Sequence, residues 1–552
     1  MQLGELIDGL GVAVTHGDAS AEIAGITDDS RRVEPGWAYV VRHAASKRQG
    51  ELAGDNAGYA DAAIAAGAAA VIDVRRAEGG GQTAEGRRDA AWEDGQSPMS
   101  HRRSAASSVP ASPVTHDNQP SAFRPPPSAL LRVQSLAGEL AARYYGRPSE
   151  AIDVVGVTGT NGKTTVATLT RSLLRSAGIG CGLIGTIAVD TGEPGGPVEA
   201  SLTTPGAIEL QATLAAMRDH GLKAAAIEVS SHALEQGRAD AASFAAGVFT
   251  NLSGDHLDYH GDMASYGDAK ARLLGLIRAG GAAVTNLDDP WSGSLIDRVS
   301  RRVRAVSCSI GREADATVLV EAGDAGMRLT LRGAWGAAAA DVPLVGEHNA
   351  MNVLQAAAAA WSVGRRHGMT ADDLSRGLAE LPVVPGRLEP VRAGVGDAPM
   401  VLVDYAHTDD ALDKALRAVR PIAAARGGRL WVVFGCGGDR DRWKRPRMMR
   451  VACGLAERVV VTSDNPRGED PLTILDEVLT GRIDRDGLSV TAEVDRAAAI
   501  GLAVAGAEPS DVVLIAGKGH ETYQLVGDRR LDFDDRVAAA VALADRRAKG
   551  VA

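Results

Sequence analysis

One stretch constrains the fold more than any other: Val155-Gly156-Val157-Thr158-Gly159-Thr160-Asn161-Gly162-Lys163-Thr164-Thr165. The apolar run over 152–157 reads as a buried strand. After Lys163, the residues Val166, Leu169, Leu173 and Leu174 recur at the spacing of one buried helical face. A strand that passes through a Gly-rich turn into a helix brings backbone N–H groups and the helix N-terminus to one point, and so cradles an anion. Lys163 is placed to reach the terminal phosphates of a nucleoside triphosphate, and Thr164 to offer its hydroxyl to Mg²⁺. The common spacing has glycine at 157; this chain has Val157 there, with glycines at 156 and 159. A bound triphosphate is expected. Whether it drives motion, switching or coupled chemistry is decided elsewhere in the chain.

The 552 residues suggest about three or four domains. A net charge of −11 argues against a broad nucleic-acid-binding face but allows a local basic pocket. The four cysteines form no CxxC pair, so neither a disulfide framework nor a zinc site is expected. The start lacks the basic and apolar regions of a signal peptide, and no apolar run reaches about 18 residues. A cytoplasmic protein with no membrane partner is the expectation.

Residues 1–74 read as a small α/β unit. Over 75–128, Gly79-Gly80-Gly81, Arg pairs, Ser clusters and Pro125-Pro126-Pro127 replace any periodicity, which predicts a disordered insertion or long surface loop. A helix is expected over 136–145. From 151 to 384 apolar strands alternate with amphipathic helices, as in an open parallel sheet. A third alternating region starts at 385, with strands expected over 401–403, 430–434, 459–462 and 512–516. Each strand of that third region ends in a polar or Gly-rich segment, where open α/β sheets place their ligands.

Several of these strand ends carry chemistry. Glu228, closing the strand over 224–229, is placed to hold Mg²⁺ beside a phosphate loop; it reads equally as a helix cap. The segment Thr250–Gly261 is dense in metal and proton ligands, including His256. Lys270, taken alone, reads as a solvated helix residue. In the third region, Asp404-Tyr405-Ala406-His407-Thr408, Gly435–Asp441, Asp464-Asn465-Pro466-Arg467 and Gly517-Lys518-Gly519-His520-Glu521 follow successive strands. Arginines 440 and 467 together with Glu521 suit an amino acid bearing both charges, with guanidinium on carboxylate and Glu521 on ammonium. Taken singly, the Gly-rich pieces read as turns.

In their order, these motifs resemble the Mur ligases, ATP-dependent amide ligases of peptidoglycan biosynthesis. The similarity runs from about Leu131 to Val541 and is greatest to the branch that adds the third residue of the stem peptide. It implies a three-domain α/β architecture: an N-terminal UDP-sugar-binding domain (1–150), a central ATP-binding domain (151–384) and a C-terminal Rossmann-like amino-acid-binding domain (385–552). It implies ATP contacts at Gly159, Thr160, Asn161, Gly162, Lys163, Thr164, Thr165, Asn349, Asn352, Arg387 and Asp404. Lys163, Glu228, His256 and Lys270 become the catalytic set. Mg²⁺ would be held by Thr164, Glu228, His256 and Lys270, the lysine as a carbamate. Ser30, Thr203, Thr204, Ser230, Gln236 and Arg238 would contact UDP-N-acetylmuramoyl-L-Ala-D-Glu. Arg440, Asp464, Asn465, Pro466, Arg467, Gly517 and Glu521 would form the meso-diaminopimelate pocket. Small-molecule substrates and a monomer are implied.

The chain departs from the family pattern at His348, where the branch usually has an aromatic, and at Asp409, which replaces a proline. It departs again at Trp37-Ala38-Tyr39 and over 75–128. Other readings are a ligase of the same class with lysine or another acceptor, a folylpolyglutamate-type ligase, or an inactive nucleotide-binding scaffold. Thr203-Thr204-Pro205 with Asp464–Arg467 speaks against the folylpolyglutamate type. Retention of Lys163, Glu228, His256 and Lys270 together speaks against decay.

Overall fold

The computed structural model describes residues 1–10, 12–41, 56–73, 136–323, 326–391 and 398–548. The insertion expected over 75–128 lies outside them. The described residues fall into two compact units, within Met1–Pro126 and within Pro127–Ala552.

In the first unit, β1 (Ala13–His16), β2 (Gly25–Thr27), β3 (Trp37–Val41) and β4 (Ala70–Asp73) form a sheet in the order β1-β4-β3-β2. A Cβ at Gly25 would lie 2.3 Å from Trp37 Cε2. Glycine on β2 therefore makes room for the indole on β3. Ser30 opens a short 3₁₀ turn, Ser30–Arg32, in which the Asp29 carboxylate accepts from Arg31 N at 3.0 Å.

The second unit contains two large sheets. The first uses β5 (Asp153–Thr158), β6 (Cys181–Ile184), β7 (Ala188–Asp190), β8 (Val198–Glu199), β9 (Ala224–Glu228), β10 (Phe244–Phe249), β11 (Ile277–Asn286), β12 (Arg304–Ser309), β13 (Ala316–Gly323), β14 (Gly326–Gly333) and β15 (Gly336–Val342). Their order is β15-β14-β13-β12-β11-β10-β5-β9-β6-β7-β8. β5 sits centrally, parallel to β9 and β10 and buried along its length. Such a strand must be apolar throughout, as 154–157 are. Helix Lys163–Ser176 buries Val166, Leu169, Leu173 and Leu174, the face its spacing predicts. Beside it, helix Glu347–Gly364 is buried from Asn349 to Ala360, with Ala356–Ala360 allowing close approach.

The strands were expected to be parallel throughout 151–384, yet β13, β14 and β15 form an antiparallel meander, and β7 and β8 also reverse. The physical reason is local. Only Ala334 and Trp335 join β14 to β15, and so short a link can only reverse the chain. Met327, Leu329 and Leu331 are buried while Arg328 and Arg332 are exposed, the alternation of a one-sided sheet.

The second sheet comprises β16 (Glu389–Pro390), β17 (Met400–Asp404), β18 (Leu430–Cys436), β19 (Arg458–Ser463), β20 (Ser489–Ala492) and β21 (Val512–Ala516), ordered β16-β17-β21-β18-β19-β20. All but β16 run parallel, so the four polar segments expected at strand ends emerge on one side. A hairpin, β22 (Tyr523–Val526) and β23 (Arg529–Asp532), follows. Helix Asp409–Ala425 starts at Thr408, whose hydroxyl accepts from Ala411 N at 3.2 Å. Its first residue is Asp409. That position suits proline or an acid equally, and here the acid also pairs with Arg447 at 3.3 Å. No helix among the described residues is long and apolar enough to cross a membrane.

Candidate active site

The cleft of this unit, about 470 Å³, opens at the C-terminal end of β5. Two glycines shape the turn there. Gly159 has φ +145°, and a Cβ would fall 1.8 Å from Thr250 Oγ1; Gly162 has φ +86°, and a Cβ would fall 2.5 Å from Asn352 Oδ1. Both positions are closed to side chains by conformation and by space. Lys163 Nζ donates to Gly159 O at 2.9 Å and Thr160 O at 2.8 Å, lying along the turn. Burial lowers its pKa, with Glu228 and Asp255 acting against that shift.

The first residues of the helix meet the end of β9. Thr164 Oγ1 donates to Glu228 Oε2 at 2.9 Å, and both side chains are buried. Thr186 N donates to Glu228 Oε1 at 2.7 Å, and Thr186 Oγ1 lies 3.0 Å from Thr203 Oγ1. Thr204 Oγ1 donates to Glu228 O at 2.8 Å and accepts from Ser230 N at 3.1 Å. Arg238 donates to Thr204 O at 3.2 Å and to Gln236 Oε1 at 2.8 Å. Of the residues expected at the muramoyl-peptide end in this unit, Thr203 reaches Glu228 through Thr186, and Thr204 links Glu228, Ser230 and Arg238.

Lys270 is the largest reversal of a reading made from the residue alone. It is 1% exposed, donates to Gly159 O at 2.8 Å, and lies 4.1 Å from the centre of the Tyr266 ring. Burial drives its pKa well below the ordinary lysine value, and the Lys163 charge pushes in the same direction. His256, exposed and at φ +54°, packs its ring 4.8 Å from that of His232. Desolvation pushes its pKa down to about 4, so the imidazole is neutral and able to ligate.

Elements of the second sheet complete the cleft. Arg387 Nη2 donates to Thr164 Oγ1 at 3.1 Å, with the guanidinium 4.6 Å from the Tyr405 ring centre. Asp404 braces that arginine's turn by accepting from Leu388 N and Ala406 N, both at 2.8 Å. Burial raises its pKa. Asn349 and Asn352 are bonded to each other at 3.1 Å on the face that meets Gly162, and His348 lines the same wall.

The residues expected to take the acceptor lie at the ends of β18, β19 and β21. Arg467 Nη1 donates to Gly438 O at 3.0 Å. A Cβ at Gly437 would stand 2.9 Å from that nitrogen and 3.8 Å from Arg440 Cγ, so both arginines border one glycine. Asn465 Nδ2 donates to Glu521 Oε2 at 2.9 Å. Gly517, at φ +119°, would place a Cβ 3.3 Å from Asp464 Oδ2, and Pro466 is buried beneath Gly438. Ser30 belongs to the first unit.

Sequence reasoning missed some residues of the cleft. Asp410 accepts from Asn161 Nδ2 at 2.8 Å, Ser253 Oγ at 2.7 Å and Lys414 Nζ at 2.8 Å, all on one oxygen. Thr186 was missed because a lone threonine carries no spacing signal. Asp410 could have been suspected as a second acid at a helix start, although such an acid serves the helix dipole equally well.

Thr164 Oγ1 and Glu228 Oε2 offer adjacent hard oxygens, which suits Mg²⁺, an ion that takes few protein ligands and fills the rest with water and phosphate. Among the described residues, no group of three or more His, Cys, Asp or Glu side chains stands ready to hold a metal.

Comparison with known proteins places this geometry. The Mur ligase middle domain matches residues 157–360, and the Mur ligase glutamate ligase domain matches residues 386–519. A Synechococcus sp. UDP-N-acetylmuramoyl-L-alanyl-D-glutamate–2,6-diaminopimelate ligase is 42% identical over 98% of each chain. The protein of that name from Alkalilimnicola ehrlichii is 42% identical over 95% of each. A solved structure of a ligase with the same name covers 99% of both chains at 30% identity and a TM-score of 0.61. A MurF from Acinetobacter baumannii, 15% identical with a TM-score of 0.57, shares the fold.

Proposed function

The chain belongs to the Mur ligase family, and we propose that within it the chain joins meso-2,6-diaminopimelate to the D-glutamate γ-carboxylate of UDP-N-acetylmuramoyl-L-alanyl-D-glutamate, using ATP. The observation that carries this reading is the meeting of Arg387 with Thr164 beside Glu228 at 3.1 and 2.9 Å. It joins the phosphate loop to the sheet whose strand ends bear Asp464-Asn465-Pro466-Arg467. With it goes the division into domains over 1–150, 151–384 and 385–552.

The reaction needs the γ-carboxylate to take the ATP γ-phosphoryl group, giving an acyl phosphate and ADP. The acceptor amine then displaces phosphate. Most of the work is positioning and neutralising phosphoryl charge. Lys163 leaves the carbonyls of 159 and 160 for the phosphate oxygens, and the N–H groups opening helix Lys163–Ser176 face the same anion. Arg387, set beside the Tyr405 ring and in a turn braced by Asp404, adds a guanidinium from the second sheet. Thr203, Thr204, Ser230, Gln236 and Arg238 orient the muramoyl peptide near Glu228. Thr164, Glu228, His256 and the Lys270 carbamate would hold Mg²⁺, whose chemistry there would be to neutralise phosphoryl charge. Burial and the Lys163 charge drive the Lys270 amine toward the neutral form that CO₂ requires, which supports the carbamate. In the acceptor pocket, Arg440 and Arg467 suit carboxylates and Glu521 an ammonium.

The test is product mass after incubation with ATP, Mg²⁺, the UDP-muramoyl dipeptide and either diaminopimelate or lysine. ADP release that depends on both substrates, with the diaminopimelate adduct dominant, is expected. ADP release indifferent to the substrates would sink the ligase assignment.

A further inference from the structure

We infer that Lys518 is a positioning residue of the acceptor pocket, its buried ammonium holding Glu521 and Asn465 in the arrangement that receives the amino end of the acceptor. This rests on the acceptor pocket proposed above.

Glycines at φ +119° and +55° flank Lys518, and this turn carries its side chain inward, to 0% exposure. There Nζ donates to Glu521 Oε2 at 3.0 Å and to Asn465 Oδ1 at 3.1 Å, with Asp464 Oδ1 at 3.5 Å. Asn465 is held at both ends of its amide: Oδ1 also accepts from Leu525 N at 3.0 Å, and Nδ2 donates to Glu521. One amine thus fastens the segment after β19 to the turn after β21, and Asn465 carries the tie on to β22. Glu521, 17% exposed, is the partner that reaches toward solvent.

A desolvated ammonium is an expensive tie if structure alone is wanted, because an apolar side chain of similar volume packs as well. Its charge gives the pocket a particular balance. Lys518 stands against Asp464 and Glu521, leaving one net negative charge. Another buried cation, Arg496, also acts on Asp464 and Glu521, but it is bonded to Asp535 through two contacts of 2.7 Å, which offsets its charge. The remaining negative charge suits an ammonium. Removing Lys518 would leave two close carboxylates short of a cation and strip a donor from Glu521 Oε2. Asp464 Oδ1 already has no hydrogen-bond donor among the described residues. Glu521 would then lose its fixed orientation. Nothing in the phosphate loop would change, since Lys518 makes none of that loop's recorded hydrogen bonds.

The experiment compares the full chain with Lys518→Met and Lys518→Gln, measuring ADP release against diaminopimelate concentration and, separately, ADP–Mg²⁺ affinity by calorimetry. For Lys518→Met the acceptor KM should rise about tenfold or more, the effect of losing one buried charge-assisted bond, with kcat within about threefold and ADP affinity within about twofold. Lys518→Gln, which keeps a neutral donor, should fall between it and wild type. An unchanged acceptor KM would overturn the inference. So would parallel losses in KM, kcat and ADP affinity, or failure of both variants to fold, since each would make the lysine merely structural. A wild-type chain that makes no product with diaminopimelate would instead defeat the proposed function itself.

Discussion

Lys270 shares a short helix with Ser265, which is exposed, yet its own amine is sealed between Gly159 O and the Tyr266 ring. A hydrophilic helix position says nothing of this, because the burial comes from the phosphate loop folding back over the helix from 111 residues away in sequence. Only the family resemblance singled the lysine out. Lys270→Ala should lower kcat by at least about 10²-fold, the usual loss when one electrostatic stabiliser is removed. A carbamate resonance seen by NMR under ¹³CO₂ should vanish in the variant. A wild-type spectrum without that resonance would count against the modification. Arg467, by contrast, was legible as an arginine at a strand end, and its side chain does border Gly437 and Gly438 at the end of the neighbouring strand. Arg467→Ala should cut the preference for diaminopimelate over lysine by about 10²-fold, because the distal carboxylate loses its partner. Competition between the two acceptors, read by product mass, checks it; an unaltered ratio would remove Arg467 from the specificity account.

At the scale of elements, the parallel strands were readable because burial on both faces forces continuous apolar runs. The strand expected over 512–516 is β21 to the residue. The meander β13–β15 was not, since one-sided strands rich in alanine, such as Gly336–Val342, carry a weak apolar signal. The ties between strand-end segments were invisible too. Arg445, 0% exposed on helix Lys444–Leu455, donates to Glu469 Oε1 at 2.8 Å, to Glu477 Oε2 at 2.6 Å and to Gly437 O at 3.2 Å. Glu469 also accepts from Asp439 N at 2.6 Å, so one carboxylate anchors the turn after β18 to the segment after β19. The hydrogen bond from Arg445 holds the Glu469 pKa down at about 2, below its ordinary 4.5. A depressed carboxylate pKa contributes stability that is present above the unfolded value and fades as pH falls through the folded one. Glu469→Gln should therefore destabilise the chain by about 1–2 kcal/mol near neutrality, a figure discounted for partial screening. The gap from wild type should begin to close below pH 4.5 and continue closing toward pH 2. Thermal midpoints across that range test this; a gap constant with pH would mean that the effect is packing rather than charge.

For the second unit as a whole, the question is what makes two sheets, each with its own core, act on one substrate. Few polar contacts join them at the cleft, and two kinds carry charge. Arg387 reaches Thr164, and Asp410 gathers Asn161 of the phosphate loop, Ser253 beyond β10 and Lys414 of its own helix onto a single oxygen. Asn161 is itself fixed from the other side, its N–H donating to Asn251 Oδ1 at 2.9 Å and its carbonyl accepting from Thr250 Oγ1 at 2.6 Å. Asp410 thus couples the shape of the proposed phosphate turn to the sheet that bears the proposed acceptor pocket. An acid this near a phosphate site repels the ligand unless its charge is occupied, and three donors occupy it. Asp410→Ala removes the tie but leaves every other cradle contact in place. The ATP KM should rise about tenfold, the worth of a hydrogen bond to a charged group, while the acceptor KM stays within about twofold. Asp410→Asn should be milder, because an amide oxygen still accepts from Asn161 or Ser253. Steady-state kinetics with ATP and diaminopimelate varied independently separates the outcomes. If both constants rose together, Asp410 would be a general brace of the fold; if neither moved, the cradle would hold its shape without help from the second sheet.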